Sequence, residues 1–199
     1  MTRAFQICSE GIHHPDDLAD ASLVEFPGSG SVYFQSTRPL TVPAAIYFAA
    51  NFETLKTIDF PLVNVSWPVM SKRMLESLRS VGEFEHRAVP VIMLDDTVDE
   101  KFDADGQPRP GVANFNYVAV QLTKHLDAFD WARSEYTRAE FAPDYVWSTK
   151  RLVLEDVPLP PLFRLVAYER PLFVSAEGRA ALEKAGIKGV QYFDSQDAF

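Results

Sequence analysis

The sequence predicts an α+β fold: an antiparallel or mixed sheet, a few short helices and a C-terminal strand–helix–strand unit. Three observations carry this. Short runs rich in β-branched and aromatic residues recur, as in "VPVIML" (89–94) and "NFNYVAVQL" (114–122). Such residues fit a pleated, half-buried surface. Met74, Leu75, Leu78 and Val81 fall on one face of a helix. Finally, "VMSKRMLESLRSVG" (69–82) aligns without gaps with "FVSAEGRAALEKAG" (173–186), sharing a serine, a leucine and the closing glycine. Both stretches read as strand, cap, helix and glycine stop.

The elements follow in order. Residues 1–30 are mixed and turn-rich, with a short helix predicted over Asp16–Leu23 and a turn at "PGSGS" (27–31). Ser31–Gln35 alternate and predict a strand. The apolar segment 41–65, broken by Pro43 and Pro61, fits a strand or a buried helix, and periodicity does not choose between them. A helix is expected after Ser71, with Gly82 ending it. Phe84, His86 and Ala88 alternate into the strand at 89–94. The stretch "DDTVDEKFDADGQPRPG" (95–111) predicts a solvated, flexible loop. Residues 125–136 read as irregular or as a short helical turn. "RLVLED" (151–156) and "LFRLVAY" (162–168) predict two strands around the proline-rich "VPLPP". The chain closes on "PLFVSAEGRAALEKAGIKGVQYF" (171–193) as strand, helix, strand.

At 199 residues the chain fits one domain or slightly more, and 15 Phe, 7 Tyr and 3 Trp supply volume for a core. Cys8 is the sole cysteine, so no internal disulfide forms. A lone thiol fits a reducing compartment. No secretory pattern opens the chain, and no run approaches the ~20 apolar residues of a membrane span. A cytoplasmic protein without membrane contact is expected. The formal charge is −9, and the 19 Lys and Arg are scattered. That argues against direct nucleic-acid binding and suits a basic protein partner.

Candidate chemistry is sparse. A nucleophile elbow needs small residues two before and two after the serine. Ser175 has Phe173 and Glu177 there, and Ser71 has Val69 and Arg73. Both serines read as helix caps. His13, His14, His86 and His125 lack metal-ligand spacing. His13, His14 and His125 are expected at the surface, His86 on a strand. "DADG" (103–106) resembles the middle of a calcium loop, but that register puts Lys101 and Val112 at carboxylate positions. "PGSGS" is too short to cradle phosphate. Cys8 lacks a basic flank and reads as a small buried residue. No cofactor or metal is expected. Among 28 acids, spacing alone singles out no acid/base pair and excludes none.

Residues 65–193 nevertheless resemble a known family. The signals are "WPVMSKRMLESL" (67–78), "NYVAVQLTKHLDAFDWARSEY" (116–136), "LFRL" (162–165) and the closing 171–193 stretch. Together they look like bacterial immunity proteins of polymorphic toxin systems, formerly described only as a domain of unknown function. Asp130 and Ser134 match the family's D-x-x-x-S stretch, Phe163 and Arg164 its F-R pair. Gly186, Gly189, Val190 and Phe193 match its ending. The resemblance implies an immunity-like α+β domain over 61–199, a cognate toxin as partner, and no catalytic residue or cofactor. Residues 1–60 match nothing in it and form either part of the same domain or a lobe of their own.

The expected function is therefore stoichiometric neutralisation of a bacterial toxin by a non-enzyme. If the toxin is basic, the first surface to meet it is Asp95, Asp96, Asp99, Glu100, Asp103 and Asp105. The rival readings are a hydrolase or transferase with carboxylates in a pocket, and a general interaction module.

Overall fold

A computed structural model describes residues 3–13, 19–140 and 142–194. Its strands are β1 (Ala4–Ser9), β2 (Ala21–Leu23), β3 (Ile46–Ala50), β4 (Val69–Ser71), β5 (His86–Asp95) and β6 (Ala113–Leu122). They continue with β7 (Glu135–Ala139), β8 (Ala142–Arg151), β9 (Leu162–Phe163), β10 (Leu172–Ser175) and β11 (Val190–Asp194). The helices are α1 (Phe52–Leu55), α2 (Lys72–Arg79) and α3 (Ala176–Lys184). The fold is α+β, with β10, α3 and β11 forming the C-terminal strand–helix–strand unit.

Five strands form one sheet in the order β2-β3-β5-β6-β4. Only β3 and β5 run parallel in it. A second, antiparallel sheet has the order β11-β1-β10-β9. A ribbon of β7 and β8 stands apart. The N-terminal segment contributes to both sheets: Phe5 of β1 lies between Val174 of β10 and Asp194 of β11, while β2 and β3 belong to the larger sheet.

Successive side chains of a strand point to opposite faces of its sheet, and on β6 both faces are buried, in different cores. Phe5 and Ile7 of β1, Leu172 and Val174 of β10, and Val118, Val120 and Leu122 of β6 share one core with Met74, Leu75 and Leu78 of α2 and Leu182 of α3. The opposite face of the five-stranded sheet packs Phe48, Val91 and Tyr117 under Phe34 and Trp67. The Trp67 ring lies 5.0 Å from that of Phe34, and its Nε1 donates to the Val32 carbonyl at 3.1 Å. A third cluster joins Phe163 and Phe173 of the smaller sheet to Phe129, Val146 and Leu154.

Both serines cap helices. Ser71 Oγ accepts from Met74 N and Ser175 Oγ from Gly178 N, each at 3.1 Å. A serine cap contributes about 1 kcal/mol. Helix α3 stops at Gly186, whose φ of +61° favours glycine. Gly82 plays no such part: α2 ends earlier, with Ser80 as its C-cap, and Val81 lies outside the helix at 43% exposure.

Four further expectations are corrected. Ala21–Leu23 is strand rather than helix, because it pairs with Phe48–Ala50; residues 14–18 of that segment lie outside the described residues, as does His14. Ser31–Gln35 forms no strand. Val32 and Phe34 alternate because both pack with Trp67, not because a strand neighbours them. "RLVLED" holds the last residue of β8 and an isolated bridge, Leu154 to Phe129; "LFRLVAY" holds the two-residue β9 and an isolated bridge, Leu165 to Leu126. The sequence reading also missed β1, β7 and β8; in β8 mostly exposed residues and Pro143 hide the period.

Candidate functional site

The acidic segment 95–111 joins β5 to β6. Its residues are mostly exposed, and hydrogen bonds within the loop tie its turns. Asp95 Oδ1 accepts from Thr97 N at 3.0 Å and Thr97 Oγ1 at 2.7 Å. Those bonds hold the Asp95 carboxyl below its usual range. Asp103 Oδ1 accepts from Asp105 N and Gln107 N at 2.9 and 2.8 Å. Glu100 pairs with Arg109 at 2.7 Å. The Phe102 ring sits edge-on to Tyr47 of β3 at 5.8 Å and anchors the loop on the sheet. Of the six acids proposed from sequence, Asp95 and Asp103 are committed to turns and Glu100 to an ion pair. Asp96, Asp99 and Asp105 are exposed, with no ion pair among the described residues.

The buried polar centre lies elsewhere. Asp59, 7% exposed, precedes β4 and receives Ser71 Oγ at 2.7 Å, Lys188 N at 3.0 Å and the Arg73 guanidinium. Burial alone would raise its carboxyl, but the bonds from Arg73, Ser71 and Lys188 outweigh that and hold it below the usual range. Tyr117 donates its hydroxyl to the Ile58 carbonyl at 2.6 Å, and burial pushes the phenol up to about 12. The Ser71 hydroxyl therefore caps α2 and donates to Asp59 at once.

A third polar group was expected at the surface and is buried. His125 is 9% exposed, with Nδ1 3.7 Å from Glu169 Oε1. Burial, helped by the charge of Arg164, pushes the ring down to about 4, so it is neutral at pH 7. Arg164, 3% exposed, donates to the carbonyls of Glu169 at 2.7 Å and of Arg170. Burial brings it down to about 10, which still leaves it charged. Burial also raises the Glu169 carboxyl, against the pull of Arg164. His125 Nε2 and Arg164 Nε have no hydrogen-bond partner. The bridge between Leu126 and Leu165 brings the two segments together, a contact no local pattern announces.

Three clefts open on these elements. The first, about 630 Å³, is lined by Phe84, His86, His125 and Phe163 among others. The second, about 870 Å³, runs along the proline segment past Ser175. The third, about 710 Å³, surrounds Asp59 and Arg73. Acids in them are not arranged as a buried pair. Glu83 and Glu85 are exposed in the first, and Asp156 and Glu177 in the second; in the third, Glu76 is exposed and Asp59 is bound by Arg73. Among the described residues no three His, Cys, Asp or Glu gather as metal ligands.

The remaining sequence candidates are structural. Asp130 accepts from Ala132 N, Arg133 N and Arg133 Nε, the last at 2.6 Å, which holds its carboxyl down. Ser134 Oγ exchanges bonds with Val153 N and O at 3.0 and 3.1 Å. The D-x-x-x-S stretch is thus a turn stapled to the 153 segment. Gly189 has φ +78°, and a Cβ there would meet Ile58 Cγ2 at 2.7 Å. Cys8 is half-buried, and burial raises its thiol. His86 opens β5 as expected, while the side chain of His13 lies outside the described ones. Among the described residues no helix is long and apolar enough to cross a membrane.

A scan against protein-family models finds no match for the chain, and a search of the curated proteins finds none.

Proposed function

We propose that the protein is an immunity protein, binding a cognate bacterial toxin one-to-one and blocking it by contact rather than by catalysis. What supports the reading is the 65–193 resemblance together with one observation: an acidic loop with internal hydrogen bonds and a ring contact to the sheet, on the outside of the molecule. Phe102 on Tyr47, the Asp95 and Asp103 turns and the Phe102–Pro108 bridge fix the backbone, while Asp96, Asp99 and Asp105 stay exposed. Contacts that restrain a surface before binding reduce the entropy lost on association. With a formal charge of −9 behind it, such a surface draws in a basic partner and raises the association rate.

The reading predicts a toxin domain encoded in a neighbouring reading frame, and the test is binding to it. The triple change Asp96→Lys, Asp99→Lys, Asp105→Lys lowers the association rate at least about tenfold at low salt. An unchanged dissociation constant would remove the loop as the contact surface.

A further inference from the structure

We propose that the cleft around Asp59, bounded by the end of α1, the start of α2 and the 186–188 turn, binds a small polar phosphate ester of the sugar-phosphate type. The inference goes beyond the toxin reading and does not rest on it. The cleft holds about 710 Å³, within the ~300–1,000 Å³ range of small-molecule sites. Four cations line it, Lys56, Lys72, Arg73 and Lys188, against two acids, Asp59 and Glu76. This local excess of positive charge stands in a chain whose formal charge is −9. The cations come from three distant segments. Asp59 draws two of these together by accepting from the Arg73 guanidinium and from Lys188 N at 3.0 Å. Its own charge is answered by Arg73. Lys56 pairs with Glu53 at 2.6 Å on the surface, whereas Lys72 and Lys188 are exposed and make no ion pair among the described residues.

Two features at the cleft work against folding or add nothing to it. Lys72 and Arg73 open α2, and no acid stands in its first turn. A cation at the positive end of a helix dipole is destabilising. Asp59 offsets that for Arg73, but no ion pair offsets it for Lys72; a bound dianion does. The second feature is a bulge in β6. Tyr117 pairs with Val91 and Asn114 with Met93, so Phe115 and Asn116 both stand opposite Ile92. On a regular strand Asn116 and Tyr117 point to opposite faces of the sheet. Here both line the cleft, and Asn114 joins them. Bulges re-aim side chains in this way beside functional sites. Asn114 Oδ1 accepts from Asn116 N at 2.9 Å, which leaves the Asn114 amide nitrogen to donate. Ammonium and amide donors together suit the acceptor oxygens of a phosphate. Tyr117 is the one ring among the lining residues, and it is buried with its hydroxyl bound to the Ile58 carbonyl at 2.6 Å. A nucleobase therefore finds no surface to stack on, which favours a sugar as the remainder of the ligand.

The experiment titrates the 15N-labelled full chain at low salt with glucose 6-phosphate, glucose, inorganic phosphate and AMP, following the amides by NMR. Glucose 6-phosphate shifts the amides of Lys72, Asn116 and Lys188 and binds at least about tenfold more tightly than glucose, as charge-assisted hydrogen bonds give. It also binds more tightly than inorganic phosphate or AMP. The double change Lys72→Gln, Lys188→Gln removes its advantage over glucose. The double change Lys124→Gln, Lys150→Gln, an equal loss of charge away from the cleft, leaves it. Unmoved amides at the cleft, equal affinity for glucose, inorganic phosphate or AMP, or an equal loss in both double variants would overturn the proposal. Because both lysines are exposed, the variants fold, and Lys72→Gln alone melts no lower than the parent. A lower melting temperature would give Lys72 a structural role and count against the site.

Discussion

The Asp59 carboxylate binds the Arg73 guanidinium, and the same guanidinium reaches the carbonyl oxygens of Ala185 and Gly186 at 3.3 and 3.4 Å. One ion pair thus joins the start of α2 to the end of α3. Lys188 N completes the link by donating to Asp59 at 3.0 Å. The arrangement also answers the negative end of the α3 dipole with a cation. Asp59→Ala removes the acceptor for Ser71, Arg73 and Lys188 together and is expected to lower stability by about 2–4 kcal/mol. Urea unfolding measures it, and a loss below about 1 kcal/mol would show the link to be incidental.

Gly178 is where α3 meets the proline segment. A Cβ there would lie 2.4 Å from the Pro161 carbonyl oxygen, the same oxygen that accepts from Ser175 N at 3.3 Å. Alanine normally stabilises a helix interior over glycine by about 1 kcal/mol. Here the clash reverses the sign, and Gly178→Ala is expected to cost about 2 kcal/mol net. Gly186→Ala has open space around it but a φ of +61°, so its cost of about 1 kcal/mol comes from the backbone alone. Thermal unfolding of the two variants separates the mechanisms.

Acid stability carries the signature of His125. The folded ring protonates only near about 4, against an ordinary value of 6.5. The unfolded chain therefore takes up a proton first, and stability is lost as pH falls from 6.5 toward 4. Glu169, whose carboxyl is raised, works in the opposite sense over its own range. Asp59 adds a loss only at lower pH, because its carboxyl stays charged below the usual value of 3.8. The unfolding free energy is expected to drop by about 1–2 kcal/mol between pH 6.5 and 4.5, allowing for solvent screening. His125→Gln flattens that slope. A slope unchanged in the variant would assign the drop to other groups.

What the sequence revealed was local. Ser71 and Ser175 were legible as caps because a cap bond spans three residues. The strand–helix–strand ending was legible because Gly186 must adopt a positive φ. The ion pair between Asp59 and Arg73 spans fourteen residues across a strand, and no spacing rule finds it. His125 looked like a surface histidine among polar neighbours, yet the pairing of Leu126 with Leu165 buries it. The acidic loop was found by composition alone. Its contact with the sheet runs through Phe102 meeting Tyr47, some fifty residues earlier, which composition does not report.

The central claim is protection from a toxin. The most direct test expresses the toxin domain from the neighbouring reading frame in a sensitive bacterium, with and without this chain, and counts survivors. The immunity reading predicts survival restored when the chain is present and a stable one-to-one complex recovered from those cells. Cell death undiminished by well-folded, abundant protein would contradict it.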